Sequence, residues 1–100
     1  MIRGTTPTHS FKLPFDTSLI KRVKILYAQC DKLLFHKEAE DCTLSGDTIE
    51  TTLSQEETFR FNCKNMVQIQ LRVLTHAGDV ITSDEMAVPV AKCLDDEVLA

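Results

Sequence analysis

The chain has 100 residues, of which 43% are hydrophobic, and its formal net charge is −4 at pH 7. This length indicates one domain, and the hydrophobic fraction is too high for a disordered chain. A mildly acidic protein does not attract phosphate backbones, so nucleic acid is excluded as an expected partner. We find neither a secretory signal nor a run of about 20 apolar residues. The sequence therefore predicts no membrane partner and folding in a cytoplasm.

The first half of the chain predicts short strands joined by turns. The predicted strands are residues 8–14, 19–29, 32–37 and 48–53. Pro14 ends the first strand or marks it as an edge, because proline cannot donate a ladder hydrogen bond. A turn at Asp31 joins the second and third strands into an antiparallel hairpin. Residues 38–45 are interpreted as a loop or edge excursion, with Cys42 and Leu44 beginning the next pairing.

A helical turn is predicted directly after the strand at residues 48–53. Ser54 and Glu57 have the spacing of a capping box, in which each side chain bonds the other residue's backbone N–H. Phe59 and Phe61 follow too soon for a long helix. We therefore predict one helical turn that crosses from one sheet to the other, with both phenylalanines packed beneath it.

Residues 66–76 form the longest clean alternation in the chain and predict the central strand. Its inward side chains are predicted to be Val67, Ile69, Leu71 and Val73. Residues 77–79 predict a tight turn, because Gly78 can take a positive φ. Residues 80–90 are predicted to return as one regular strand without a bulge. Asp84 suggests that its middle is exposed or leaves the sheet, and Pro89 places its end at an edge.

Together these elements predict an all-β fold, an antiparallel immunoglobulin-like β-sandwich of six to seven strands with one short helical turn. The single sandwich domain is predicted to span residues 1–94. Residues 95–100 are predicted to be an acidic C-terminal tail, which either frays or docks.

No local motif indicates catalysis or a cofactor. The four cysteines, at positions 30, 42, 63 and 93, have no C-x-x-C spacing, so we predict reduced thiols rather than a metal or dithiol site. The three histidines are scattered among different elements. We therefore predict no enzyme activity, no cofactor and no metal; a hydrolase that uses a Cys–His pair, with Cys63 as the residue to test, is the weakest alternative.

Surface contacts are then the expected mode of action. Edge strands pair readily with other chains, so the first strand and the strand that contains Pro89 are candidates. Gln68, Gln70 and Arg72 share the outward side of the central strand and form a flat polar face suited to a symmetric neighbour. Residues 21–24 carry three basic side chains, which we interpret as part of a solvated outer face.

Four stretches carry a family resemblance: RGTTPTHSFKLPFD, IKRVKILYAQ, LSQEETFRF and VQIQLRVLTHAGDVITSD. With these stretches the chain resembles small proteins encoded among the tail and baseplate genes of phages and prophages of Gram-positive bacteria. It is also similar to the β-sandwich domain at the start of phage baseplate upper proteins. The resemblance implies a virion structural or assembly component, present in the host cytoplasm during assembly and then in the virion. The implied partners are other phage structural proteins or further copies of the chain.

Two functions are thus expected from different classes. The first is a non-enzymatic phage structural or assembly protein of the tail or baseplate region. The alternative is a small adaptor module that binds a host protein or peptide by β-strand addition at an open sheet edge.

Overall fold

The computed structural model describes residues 1–100, which form two antiparallel sheets packed face to face. In chain order the strands are β1 (Thr8–Lys12), β2 (Ile20–Gln29), β3 (Lys32–Glu38), β4 (Cys42–Ser45), β5 (Thr48–Thr52), β6 (Val67–Thr75), β7 (Val80–Thr82) and β8 (Met86–Val88). The smaller sheet has the order β1-β5-β4. The larger sheet has the order β3-β2-β6, with β7 and β8 both paired to the other side of β6. The predicted all-β antiparallel sandwich is confirmed.

The core lies between the sheets because the central strands alternate as the sequence predicts. The side chains of Val67, Ile69, Leu71 and Val73 are all buried. On β2 the buried partners are Val23, Ile25 and Tyr27, which pair in register with inward residues of β6. Burying the inward face of both strands removes a large apolar area from water and so holds the larger sheet on the smaller one.

The predicted hairpin between β2 and β3 is present, and a two-residue turn closes it. Cys30 and Asp31 have φ values of 51° and 60°. Two successive positive φ values match the twist of antiparallel strands, and Asp tolerates this conformation better than most residues. The turn places Asp31 beside Gln68, whose side-chain oxygen accepts a 2.8 Å hydrogen bond from the Asp31 N–H.

The predicted helical turn is α1 (Gln55–Phe59), and it carries the chain from β5 in the smaller sheet to β6 in the larger one. Its capping box is confirmed, since Ser54 Oγ accepts from the Glu57 N–H at 3.1 Å and Glu57 Oε1 accepts from the Ser54 N–H at 2.8 Å. Phe61 is buried in the core, as predicted. Phe59 is only half-buried, and the guanidinium of Arg3 lies over its ring, 5.4 Å from the ring centre.

The returning strand differs from its prediction. Residues 80–90 form two short strands, β7 and β8, and residues 83–85 leave the ladder between them. Thr82 pairs with Arg72, and Met86 pairs with Ile69. Thr82 and Met86 are four positions apart, whereas Arg72 and Ile69 are three apart, so the returning side contains one extra residue. The prediction of one regular strand without a bulge is therefore wrong, while the prediction that its middle is exposed or leaves the sheet is confirmed.

The extra residue reverses which side chains face inward. Val80 and Thr82 lie on the outward side, while Met86 and Val88 lie on the inward side, because a one-residue shift moves side chains to the opposite face. Counting β7 and β8 as one position, the sandwich has seven strand positions. Counting segments, it has eight strands rather than six or seven.

The two ends of the chain lie against the sandwich. The N-terminal ammonium group donates a 2.9 Å hydrogen bond to the Pro89 carbonyl, and Ile2 forms a parallel bridge with Ala91. Residues 94–100 form no helix or strand. Near their end, Gln55 and Leu99 exchange side-chain-to-backbone hydrogen bonds of 2.7 and 2.8 Å. None of the helical segments has the length and apolar composition needed to cross a bilayer.

Candidate interaction surfaces

The outer edge of β1 is the first candidate surface. β1 pairs only with β5. The Pro7 carbonyl and the Leu13 N–H bond toward the β5 side, at 3.0 and 2.7 Å. Because backbone groups alternate in direction along an antiparallel strand, those of Thr8, Ser10 and Lys12 point away from β5. No hydrogen bond within the chain occupies these groups, so they can form a ladder with another strand.

An apolar cleft lies beside this edge, where the two sheets stand apart; we name it the edge cleft. Its volume is about 370 Å³. The apolar side chains that line it include Phe11, Leu13, Phe15, Leu71, Ile81 and Met86. Ile81 is 46% exposed and Met86 38% exposed, although both point toward the other sheet. The cleft can therefore receive apolar side chains from a strand added to β1.

β1 is held firmly against the larger sheet by an aromatic contact. His9 Nδ1 lies 2.7 Å from the Tyr27 hydroxyl oxygen, and the two rings are stacked with centroids 5.7 Å apart. Burial, with the N-terminal charge as a smaller cause, lowers the pKa of His9. Burial also raises the pKa of Tyr27 above its ordinary value. Both side chains are therefore neutral at neutral pH, and β1 presents its open edge from a fixed position.

The outward side of the larger sheet is the second candidate surface; we name it the outer face. Gln68, Gln70 and Arg72 lie on it together, as their spacing implies. Their side chains are already engaged within the chain. Gln70 Nε2 donates to the Ser83 carbonyl at 3.1 Å, and Arg72 Nε donates to Thr82 Oγ1 at 3.3 Å. The trio is therefore ordered by its own sheet rather than free in solvent.

One end of the outer face is basic. Lys24 and Arg72 are direct register partners on β2 and β6, and neither forms an ion pair within the chain. Arg22 lies beside them and is bound at 3.0 Å to Glu38, which is also the register partner of Lys24 on β3, so three cations share one carboxylate. Like charges placed directly opposite across two strands repel, so this end gains from a carboxylate supplied by another molecule.

The other end of the outer face is acidic. Gln68 Nε2 donates to Asp31 Oδ1 at 2.8 Å and to Glu85 Oε2 at 3.3 Å, which draws both carboxylates together. Neither carboxylate forms an ion pair. Beneath them is a shallow depression of about 370 Å³, whose apolar side chains include Leu26 and Leu33. An acidic rim over an apolar floor suits a long cationic side chain.

Pro89 lies apart from the trio. It follows β8, and its neighbour Val88 pairs with Val67 at the start of β6. Arg72 lies five residues further along β6, where it pairs with Thr82. Its carbonyl is occupied by the N-terminal ammonium group. Pro89 thus lies at a sheet edge, as predicted, but the structure does not bring it to the same place as Arg72.

The cysteines considered for chemistry form no disulfide. All four cysteines are free thiols; Cys30 and Cys63 are exposed, and Cys42 and Cys93 are half-buried. Burial raises the pKa of the Cys42 thiol. No group of three or more histidine, cysteine, aspartate or glutamate side chains is arranged to hold a metal ion.

Sequence reasoning missed parts of both surfaces. It did not place Ile81 and Met86 in a cleft, because the one-residue shift between β7 and β8 leaves no mark in the hydrophobic pattern. It also did not join Asp31 with Glu85, which come from different turns. The sequence did indicate part of the basic end, because Arg22 and Lys24 share one face of the predicted second strand.

Comparison with known protein families and curated proteins gave no match. No protein-family model matches the chain. No curated protein matches it at a significant level either.

Proposed function

We propose that this chain is a non-enzymatic structural or assembly protein that acts through contacts with other polypeptides. The observation that carries the proposal is the unpaired outer edge of β1 beside the edge cleft. The backbone groups of Thr8, Ser10 and Lys12 on this edge form no ladder hydrogen bonds. The apolar side chains of Ile81 and Met86 are partly exposed to solvent. Another strand would satisfy both needs at once.

The strand order supports the finer proposal that the sandwich is immunoglobulin-like. An immunoglobulin domain has strands A, B, E and D in one sheet and C, F and G in the other, and variable-type domains add C′ beside C. The order β1-β5-β4 corresponds to B-E-D, and β3-β2-β6-β7/β8 corresponds to C′-C-F-G. In this assignment no strand of the smaller sheet occupies position A, which would lie on the open edge of β1.

The resemblance described above supports the place of action. It implies a virion component of the tail or baseplate region of a phage or prophage, with other phage structural proteins or further copies of the chain as partners. The proposed location is the host cytoplasm during assembly and the virion afterwards. No cofactor is part of the proposal.

Purified particles from an induced prophage that carries this gene test the proposal. Mass spectrometry should find the protein at a fixed, small-integer ratio to the tail proteins. Ser10→Pro should remove it from particles, because proline lacks the N–H that the open edge offers, while Ser10→Ala should be incorporated normally. Absence of the unmodified protein from particles, with abundant protein in the lysate, would refute the structural role and favour an assembly factor or a host-directed adaptor.

The alternative, an adaptor that binds a host protein or peptide by strand addition, uses the same edge of β1. The edge cleft favours it, since its volume and apolar lining fit alternate side chains of an extended peptide. A synthetic peptide of alternating valine and threonine serves as the probe. We expect its binding to slow amide hydrogen exchange at Thr8, Ser10 and Lys12 in the protein, and Ser10→Pro to abolish binding.

Exchange rates that the peptide leaves unchanged at these three positions would refute strand addition. Slowed exchange at Val80 and Thr82 instead would show that the edge formed by β7 and β8 is the one that pairs. Met86→Glu provides a second check, because a carboxylate in the edge cleft should weaken peptide binding without touching the β1 backbone.

A further inference from the structure

The charges of the outer face are separated along the strands. The basic end is formed by Lys24 and Arg72, and the acidic end by Asp31 and Glu85, which gather around Gln68. Glu38 forms an ion pair with Arg22, lies 3.7 Å from His36 Nε2, and is the register partner of Lys24 on β3. One carboxylate beside Arg22, Lys24 and Arg72 leaves the basic end with a net charge of about +2, while Asp31 and Glu85 give the acidic end about −2.

The two ends are placed symmetrically about one row of residues. Leu26 on β2 is the register partner of Gln70 on β6. Lys24 and Arg72 lie two residues to one side of this row, and Gln68 lies two residues to the other side. With about 3.3 Å of rise per residue, the two ends are roughly 13 Å apart along the strands.

We infer that the outer face pairs with the same face of a second copy, about a two-fold axis that runs across the strands along the Leu26–Gln70 row. Such an axis lies in the plane between two facing sheets and reverses the strand direction. It places the basic end of each copy over the acidic end of the other, so the same complementary contact forms twice. An axis parallel to the strands would instead set like charges against each other.

The contact also provides apolar cover. Leu26 lies at the axis and meets its counterpart. The stems of Lys24 and Arg72 can lie on the apolar floor beneath Asp31 and Glu85, with their charged ends beside the carboxylates. A second copy thus supplies what both ends lack: carboxylates for the opposed cations, and cations for the gathered carboxylates.

The face is small. Four strand positions at about 4.8 Å, and about six residues of strand length, give a contact of roughly 20 Å by 20 Å, an area of about 400 Å² on each copy. This is below the roughly 800 Å² that each partner buries in a typical stable complex, so we expect a weak dimer with a dissociation constant between about 10 μM and 1 mM.

Sedimentation of the purified chain, at concentrations up to about 1 mM, tests the inference. We expect K24E/R72E and D31N/E85K each to weaken self-association at least tenfold, since each makes both ends of one face alike in sign. Asn replaces Asp31 because it tolerates the positive φ of this turn. An equimolar mixture of the two variants should recover a dimer containing one chain of each.

The control K64E/K92E replaces two positive charges by two negative ones, as K24E/R72E does. Lys64 lies in the turn after α1 and Lys92 follows β8, both exposed and outside the outer face, so self-association should change less than twofold. A chain that stays monomeric at about 1 mM, or a dimer equally sensitive to the control, would overturn the inference.

The position of the axis has its own test, which places a charge of either sign at Gln70. Gln70 should meet its own counterpart at the axis. Q70E and Q70K should therefore both weaken the dimer, although they have opposite charges, and mixing them should restore it. If one weakens the dimer and the other strengthens it, the axis is wrong.

The inference rests on the proposed function, because it takes a second copy of the chain as a natural partner. Its failure is nevertheless distinct. A protein that is incorporated into particles but stays monomeric when purified refutes only the dimer, while a dimer that never enters particles refutes only the structural role.

Discussion

His9 on β1 and Tyr27 on β2 meet at 2.7 Å between Nδ1 and the hydroxyl oxygen, and this bond joins the two sheets. Tyr27 is completely buried, and its ring stacks on Phe35, with centroids 4.9 Å apart. Phe35 stacks in turn on Phe61, which follows α1, at 5.5 Å. A continuous aromatic row therefore connects the open-edged strand to the crossover between the sheets.

The His9 contact predicts a pH dependence of stability. Burial lowers the pKa of His9 below its ordinary 6.5, so the unfolded chain binds a proton more readily than the folded protein. The free energy of unfolding should therefore be fully retained above about pH 6.5 and should fall as the pH drops from that value toward about 5. Chemical denaturation across this range measures it.

A matched pair of variants isolates His9. His9→Gln removes the titrating group but keeps a polar partner for Tyr27, so its stability should vary less with pH between about 7 and 5. His76→Gln, at an exposed turn, should keep the dependence of the unmodified protein. An unchanged dependence in His9→Gln would contradict the assignment.

Leu71→Ala tests the phase of the central strand. Leu71 is 6% exposed and points between the sheets, so its truncation should cost about 2–5 kcal/mol in the free energy of unfolding. Gln70→Ala, on the neighbouring outward position, should cost far less. A loss below about 0.5 kcal/mol at Leu71 would mean that the inward and outward faces of β6 are exchanged.

Ser54→Ala tests the capping box. The change removes the oxygen that accepts from the Glu57 N–H, and should lower the free energy of unfolding by about 1 kcal/mol. Ser45→Ala, at the exposed end of β4, should change it by less than about 0.5 kcal/mol. Thermal unfolding of both variants at one pH makes the comparison, and equal losses would argue against a stabilising cap.

Gly4→Ala tests the packing of the N-terminal segment. Gly4 has a φ of +79°, and an added methyl group would clash with the ring of Phe59. Gly46 also has a positive φ, +57°, but the space around it is open. Both variants should lose roughly 1 kcal/mol from backbone conformation, and Gly4→Ala should lose more, measurable by urea denaturation. Equal losses would show that the Phe59 ring moves aside freely.

Lys37 and Glu57 form a 2.7 Å ion pair between β3 and α1. Partial burial acts to raise the pKa of Glu57, but hydrogen bonds from Lys37 and the Ser54 N–H outweigh it, so this pKa is lowered. The pair should therefore stabilise the fold above about pH 4.5 and lose its effect as the pH falls below that value. Lys37→Met should reduce this acid sensitivity in the same denaturation experiment.

The sequence by itself determined the larger part of the sandwich. Alternation in residues 66–76 and in β2 identified both central strands and their buried sides. The capping box at Ser54 and Glu57 located the crossover helix, because caps and period-2 patterns are local properties of a chain.

Only the tertiary structure decided the surfaces. The one-residue shift between Thr82 and Met86 follows from pairing with β6, not from local pattern, and it turns Ile81 and Met86 toward the edge cleft. The gathering of Asp31 and Glu85 around Gln68 joins residues distant in the chain. Strand register and sheet order arise from nonlocal packing. The sequence could therefore place Gln68, Gln70 and Arg72 on one face, but it could not predict that this face has a basic and an acidic end.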